Sequence, residues 1–244
     1  MNKTPGFFIT GTDTEVGKTL VSGAMILKLR EQGKKVLGFK PVVAGTYHGQ
    51  DGQLLNEDLE TLRVALGFAP DQLSLCSYVL DTPAAPHLVA KSKGICLELD
   101  TMLRAYSEIQ KQSDCVVVEG AGGFLTPIND QENLGDFAAQ IHLPIILVVG
   151  MKLGCINHAL LTMEALKSRN LIIGGWIANT LSQEMPLLDA NIETLQAKIT
   201  VPFLGLIPSL PPVLQKPDNS PYSIEALEFA AQHIQLPIKQ SDQQ

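Results

Sequence analysis

The stretch Gly11-Thr-Asp-Thr-Glu-Val-Gly-Lys-Thr19 decides how the rest of this chain is read. Before it lies Gly-Phe-Phe-Ile-Thr (6–10), a short apolar run of strand character, and after it a segment rich in helix formers (20–32). Strand, glycine-bounded turn, Gly-Lys-Thr and helix make a phosphate-binding loop. Its backbone N–H groups point inward at a polyphosphate, the helix N-terminus adds partial positive charge, and Lys18 reaches the terminal phosphates. The Thr19 hydroxyl is placed to ligate a magnesium ion. Strict spacing of the motif puts Thr12, not Gly11, at the first glycine position. An ordinary helix entrance with a chance Gly-Lys-Thr is the bland alternative. The strand before and the helix after favour nucleotide phosphate.

A chain of 244 residues, 45% hydrophobic and 18% charged, has the make-up of a folded globule with a sizeable core. Its net charge of −7 argues against nucleic acid or an anionic membrane as the main partner. The first residues run straight into a strand, so no leader is expected, and no apolar run reaches the roughly 18 residues of a spanning helix. Cys76, Cys96, Cys115 and Cys155 form no CxxC pair and read as reduced thiols of a cytoplasmic protein. The histidines (48, 87, 142, 158, 233) lack ligand spacing; His142 and His158 read as partly buried and the others as surface.

Outward from the loop, 36–40 reads as a second buried strand stopped by Pro41, with Lys40 at its carboxyl end. A glycine-bearing loop (42–52) and a helix over 53–66, with Leu55, Leu59, Leu62 and Leu66 on one face, follow. Then come a short strand (75–80), a turn opening a short helix (81–87), an amphipathic helix (97–111) and a strand from 114 ending in Glu119-Gly-Ala-Gly-Gly123. Helices are expected at 133–141, 156–167 and 187–198, and strands at 144–150, 174–179 and 203–207. A proline-rich loop (211–221) leads to a last helix capped by Ser223, and the tail after Gln235 reads as frayed. Strands without alternation, regularly separated by helices, predict an α/β fold: one doubly wound, mostly parallel sheet with helices on both faces, as a single P-loop NTPase-like domain over 1–244.

In such folds ligands gather at the carboxyl ends of strands. Four ends carry polar residues: the phosphate loop, Lys40, Glu119 and Asn179. Each alone is by default a solvated surface group, but together at one edge they suggest a site. Glu119 stands where nucleotide-binding folds carry a magnesium-directed acid, and the glycines after it allow close approach to phosphate. Thr19 and Glu119 supply two oxygens for a hard cation, and a third comes from Asn56, Glu57 or Asp58, among which the sequence does not choose. Lys40 adds a second cation beside Lys18, suited to ATP meeting another anionic group during phosphoryl transfer. Asn179 lacks the neighbours of a guanine-reading loop, which favours adenine. Gly154-Cys-Ile-Asn157 is another helix N-terminus, either a seat for a substrate carboxylate or a simple cap.

With those residues in view, the chain resembles the dethiobiotin synthetases, ATP-dependent carboxylases that close the ureido ring late in biotin synthesis. The likeness spans nearly the whole chain. Its anchors are the loop at 11–19, Lys-Pro-Val (40–42), Val-Glu-Gly-Ala-Gly-Gly (118–123), Leu-Val-Val-Gly-Met-Lys-Leu-Gly-Cys-Ile-Asn-His (147–158) and Trp-Ile-Ala-Asn (176–179). The resemblance implies that a diaminopelargonate amine takes up CO2, that ATP phosphorylates the carbamate, and that the second amine displaces phosphate. It implies catalytic roles for Lys40, Lys18 and Thr14, and magnesium on Thr19, Asp58 and Glu119. ATP would lie against Thr14, Glu15, Val16, Gly17, Lys18, Thr19 and Leu20, with Asp58 and Glu119-Gly120-Ala121-Gly122. Asn179 and Thr180, with Pro208, Ser209 and Leu210, would line the base pocket. Substrate would meet Thr14, Lys40, Ala44 and, from the neighbouring subunit of a homodimer, Gly154, Cys155, Ile156 and Asn157. The family commonly has a hydroxyl residue where this chain has Ala44, so Thr46, a backbone group or water must replace that contact.

Two rivals have weaker support. An amidotransferase-type synthetase would carry a glutaminase domain, for which there is no room. A partitioning ATPase would carry an early lysine in the loop, where this chain has Asp13.

Overall fold

The computed structural model describes residues 5–49, 51–68, 75–181 and 185–237. Strands β1 (Gly6–Gly11), β2 (Val36–Ala44), β5 (Cys76–Leu80), β6 (Cys115–Glu119), β7 (Ile145–Met151), β8 (Ile173–Thr180) and β9 (Phe203–Ile207) form one sheet in the order β5-β2-β6-β1-β7-β8-β9. Every neighbouring pair in it is parallel. The helices are α1 (Lys18–Glu31), α2 (Glu57–Leu66), α3 (Pro86–Ser92), α4 (Leu99–Lys111), α5 (Leu134–Ile141), α6 (Cys155–Ser168), α7 (Leu188–Lys198) and α8 (Ile224–Gln232). A small antiparallel hairpin pairs β3 (Tyr47–His48) with β4 (Leu54–Leu55).

Successive strand residues point to opposite faces, so one apolar run feeds two cores. Phe8, Phe39, Val116, Val118 and Leu147 face a cluster completed by Met102, Tyr106, Phe137, Ala159 and Leu195 from α4 to α7. Ile9, Val117, Ile146 and Val148 face the other, completed by Met25, Leu59, Leu62 and Leu227 from α1, α2 and α8. This is the doubly wound α/β arrangement that the unbroken apolar runs predict. From β1 the chain passes to β2 on one side of the sheet, and later from β6 to β7 on the other. A crevice therefore opens at the carboxyl ends of β1, β2 and β6.

Two boundaries differ from the sequence reading by more than two residues. Strand β2 does not stop at Pro41 but continues to Ala44, which puts Lys40 in mid-strand. Its first half pairs with β6 up to Phe39 opposite Val118, and its second half pairs with β5 from Lys40 opposite Cys76. Pro41 thus falls where the β6 ladder has run out, the place in a sheet where a missing N–H costs least. Helix α2 begins at Glu57 rather than 53, because Asn56 caps it, its side chain accepting from the Asp58 and Leu59 N–H groups. Leu55 continues the leucine spacing but belongs to β4. His142 is exposed, ending α5 in a left-handed turn, while His87 is half-buried. Ser223 caps α8 as its sequence suggests. The end of the tail (238–244) lies outside the described residues. Among the described residues no helix is long and apolar enough to cross a membrane.

Candidate active site

The loop after β1 is shaped by two close approaches. Gly17 has φ of 91°, a left-handed conformation, and a Cβ there would lie 2.1 Å from Asn179 Nδ2. Only glycine meets both demands. Asn179, at the end of β8, donates from Nδ2 to the Val16 carbonyl at 2.9 Å and so braces the loop from below. Val16 itself is buried beneath the loop, against Gly11 and Gly150. Above, Lys18 Nζ donates to the Asp13 carbonyl at 2.8 Å, while the Asp13 carboxylate is taken by Lys152 at 3.0 Å. Burial, assisted by the nearby Lys40 charge, lowers the Lys18 ammonium to about 8 against the opposing pull of Glu119 and Asp58.

Strand register assembles the next part. Pairing Phe39 with Val118 sets Lys40 beside Glu119, and the Asn56 cap turns the first residues of α2 toward both. Lys40 Nζ lies 2.5 Å from Glu119 Oε1 and 2.6 Å from Asp58 Oδ2. Thr19 Oγ1 lies 2.7 Å from Asp58 Oδ1 and 2.8 Å from Glu119 Oε1. Glu119 is fully buried and Lys40 nearly so, whereas the Asp58 side chain keeps 27% of its surface. Burial works against the Lys40 ammonium, but the charges and hydrogen bonds of Asp58 and Glu119 outweigh it and raise it above the ordinary lysine value. Burial likewise pushes the Asp58 carboxyl up, and the Lys40 charge and hydrogen bond, with Thr19, bring it net below the usual range.

These oxygens suit a divalent cation. A hydroxyl has one proton, so Thr19 donates to only one of the two carboxylates it touches. Glu119 Oε2 is buried with no hydrogen-bond partner. Two anionic groups converging on one hydroxyl, with a lone pair to spare, form a set that a hard cation would satisfy. Among the described residues no cluster of three or more His, Cys, Asp or Glu side chains is poised for a metal. Two carboxylates plus a hydroxyl fit magnesium held jointly with nucleotide phosphates better than an all-protein cage.

A cavity of 1030 Å³ opens over this cluster. The sequence-expected residues Thr14, Glu15, Gly17, Lys18, Thr19, Lys40, Ala44, Asp58, Glu119, Ala121 and Gly122 line it. Leu20 and Gly120 are buried behind it, and Thr180 Oγ1 is buried without a partner. Ser209 is exposed and donates to the Leu181 carbonyl, with Pro208 and Leu210 half-buried beside it, away from the cavity wall. Gly154, Cys155, Ile156 and Asn157 also stand outside the cavity, where α6 starts beyond the Lys152–Asp13 pair. Asn56 and Glu57, the other candidates for the third metal oxygen, are otherwise engaged. Asn56 caps α2 and donates to the Gly45 carbonyl, and Glu57 pairs with Lys216 at 2.6 Å.

Several cavity residues escaped the sequence reading: Pro83, Pro86, Thr126, Lys216 and Tyr222. Thr126 carries a hydroxyl on a wall where Ala44 has none. Lys216 is a third cation, and a lone lysine within an otherwise uncharged run of prolines (208–217) was the one signal available.

A phosphate loop with two carboxylates and a hydroxyl converging beside it at the carboxyl edge of a parallel sheet places the chain among the P-loop proteins. A family model described as an AAA domain matches residues 5–217. The ATP-dependent dethiobiotin synthetase BioD of Ralstonia nicotianae is 42% identical over 94% of this chain and 94% of its own length. The enzyme of the same name from Aromatoleum aromaticum is 44% identical over 85% of this chain and 92% of its own. The chain therefore belongs to that AAA-domain family and to the ATP-dependent dethiobiotin synthetases. Among solved structures, the MinC:MinD cell division protein complex of Aquifex aeolicus matches with a TM-score of 0.54 over 97% of this chain and 99% of that one. At 15% identity that likeness speaks for the fold alone.

Proposed function

We propose that the chain, as one P-loop domain acting in the cytoplasm, converts diaminopelargonate, CO2 and Mg-ATP into dethiobiotin, ADP and phosphate. One amine of the substrate adds to CO2, forming an N–C bond and a carbamate. The carbamate oxygen takes the γ-phosphoryl group as ADP leaves, and the second amine then attacks the carbamoyl carbon, closing the ring and expelling phosphate. The observation that carries this reading is the convergence of Lys40, Thr19, Asp58 and Glu119 beside Lys18 within one cavity. Two ammonium groups in one cavity suit an anionic acceptor and an anionic donor brought together.

The loop N–H groups and Lys18 hold the β- and γ-phosphates, and Leu20 begins the helix that backs them. Lys40 faces the carbamate, and Thr14 lines the same cavity. Magnesium on Thr19, Asp58 and Glu119 would neutralise charge on the transferring phosphoryl group. Gly120, Ala121 and Gly122 let backbone approach the nucleotide. Asn179 retains an amide oxygen for adenine, with Thr180, Pro208, Ser209 and Leu210 around the base. Ala44 offers substrate only a methyl group.

The substrate carboxylate is held by the Gly154–Asn157 helix start of a second copy. The homodimer is supported by the outer face there: Leu153, just before α6, is 96% exposed, and Asn157 and Leu161, four residues apart on α6, are both exposed.

The product identifies the reaction. Mass spectrometry should detect dethiobiotin from diaminopelargonate, bicarbonate and Mg-ATP, with ATP hydrolysis at background until both co-substrates are present. Lys40→Gln should abolish most turnover while leaving nucleotide binding intact. ATP turnover stimulated by DNA or a protein partner, or loss of ATP binding in Lys40→Gln, contradicts the reading.

A further inference from the structure

The Lys40 amine touches the same oxygens that would hold the metal. Glu119 Oε1 lies within hydrogen-bond distance of both Lys40 Nζ and Thr19 Oγ1, and each Asp58 oxygen lies beside one of the same two groups. A cation drawing on Thr19 and the two carboxylates meets Lys40 at Glu119 Oε1 and Asp58 Oδ2, the oxygens the amine now contacts, while Glu119 Oε2 has no partner. It also adds two positive charges to carboxylates already paired with a buried ammonium. Like charges so placed repel strongly where water is excluded.

We infer that Lys40 acts as a place-holder for the metal: its ammonium positions Asp58 and Glu119 beforehand and is exchanged for the incoming cation. This inference rests on the proposed metal site. The exchange gives the site an order of assembly. Without the cation, Lys40 neutralises two converging carboxylates that would otherwise repel each other. With the cation bound, those carboxylates are satisfied and the amine is released for the anionic substrate in the cavity that Lys40 also lines. The carbamate-facing charge is thereby made available only in the metal-loaded protein.

Lys18 supplies the comparison. It belongs to the same cavity, but its amine bonds to the Asp13 carbonyl, not to the metal oxygens. Removing Lys18 deletes an equal charge without vacating a metal ligand.

Binding of Mn2+ to the nucleotide-free protein, followed by electron paramagnetic resonance, separates the possibilities. If Lys40 holds its carboxylates in most molecules, Lys40→Met should bind Mn2+ about tenfold tighter than wild type or better, and Lys18→Met should gain much less. Equal affinities in wild type and Lys40→Met, or equal gains in both variants, would overturn the place-holder role. Because Lys40→Met leaves a buried acid without its cation, a second measurement uses the wild-type protein. The 15N-lysine NMR signal of the Lys40 ammonium should shift when Mg2+ and a non-hydrolysable ATP analogue are added, and stay put with analogue and chelator. If Mn2+ fails to bind even with the analogue, the metal site itself is wrong. If it binds and the Lys40 signal does not move, only the exchange is wrong.

Discussion

Lys18 is held in its neutral-prone state by burial, helped by the Lys40 charge, so its ammonium titrates at about 8 instead of the ordinary lysine value. A polyphosphate laid against it favours the charged form and restores the proton. In the nucleotide-free protein the stability this group contributes is present above its unfolded value and lost as pH falls toward 8. Nucleotide binding carries the opposite linkage. Above that pH the incoming phosphates must bring a proton with them, so affinity should fall by up to about tenfold per pH unit. Calorimetry in two buffers of different ionisation heat should show almost no proton uptake near pH 7 and, near pH 9, uptake approaching roughly one proton. Proton release at the higher pH contradicts the assignment. At this scale Gly17, Lys18, Thr19 and Glu119 were legible because each sits at a fixed offset from a local signal, a loop or a strand end. Asp58 was singled out only by the family resemblance, since Asn56, Glu57 and Asp58 are chemically alike until a cap, an ion pair and a strand register give each a separate task.

Helix α2 illustrates the scale of the element. The leucine spacing through Leu55 suggested a helix reaching back to 53, yet Asn56 starts it by accepting two backbone N–H groups and donating to the Gly45 carbonyl at 2.7 Å. That side chain ties the strand β2 exit to the helix bearing Asp58. Asn56→Ala should destabilise the protein by about 1–3 kcal/mol in urea unfolding, through loss of the cap and the stranding of a carbonyl. It should also weaken metal-dependent nucleotide binding. Unchanged stability would mean that water takes over all three bonds. Pro41 shows the same limit of local reading: a proline stops a strand only where a partner waits for its N–H, and at Pro41 the β6 ladder has already ended.

For the molecule as a whole, the proposed site draws Lys40 from one copy and Asn157 from the next. Mixing two inactive variants tests that sharing. Lys40→Gln removes the catalytic amine, and Asn157→Asp sets a carboxylate against the substrate's own. A mixed dimer then keeps one intact site, so an equal mixture should recover about a quarter of wild-type turnover. No recovery, with mixed dimers demonstrably formed, would place both groups in one subunit.

By itself the sequence determined the layered parallel sheet, the phosphate loop and the family, since these depend on patterns within a dozen neighbouring residues and on long ordered matches. Only the tertiary structure decided that Lys40 lies against Asp58 and Glu119, that Asn179 braces the loop through Val16, and that Lys216 and Thr126 reach the same cavity. Those contacts join residues far apart along the chain. Among them Lys40, Glu119 and Asn179 depend on parallel strands locked in one register, since a shift of one residue would turn each to the opposite face.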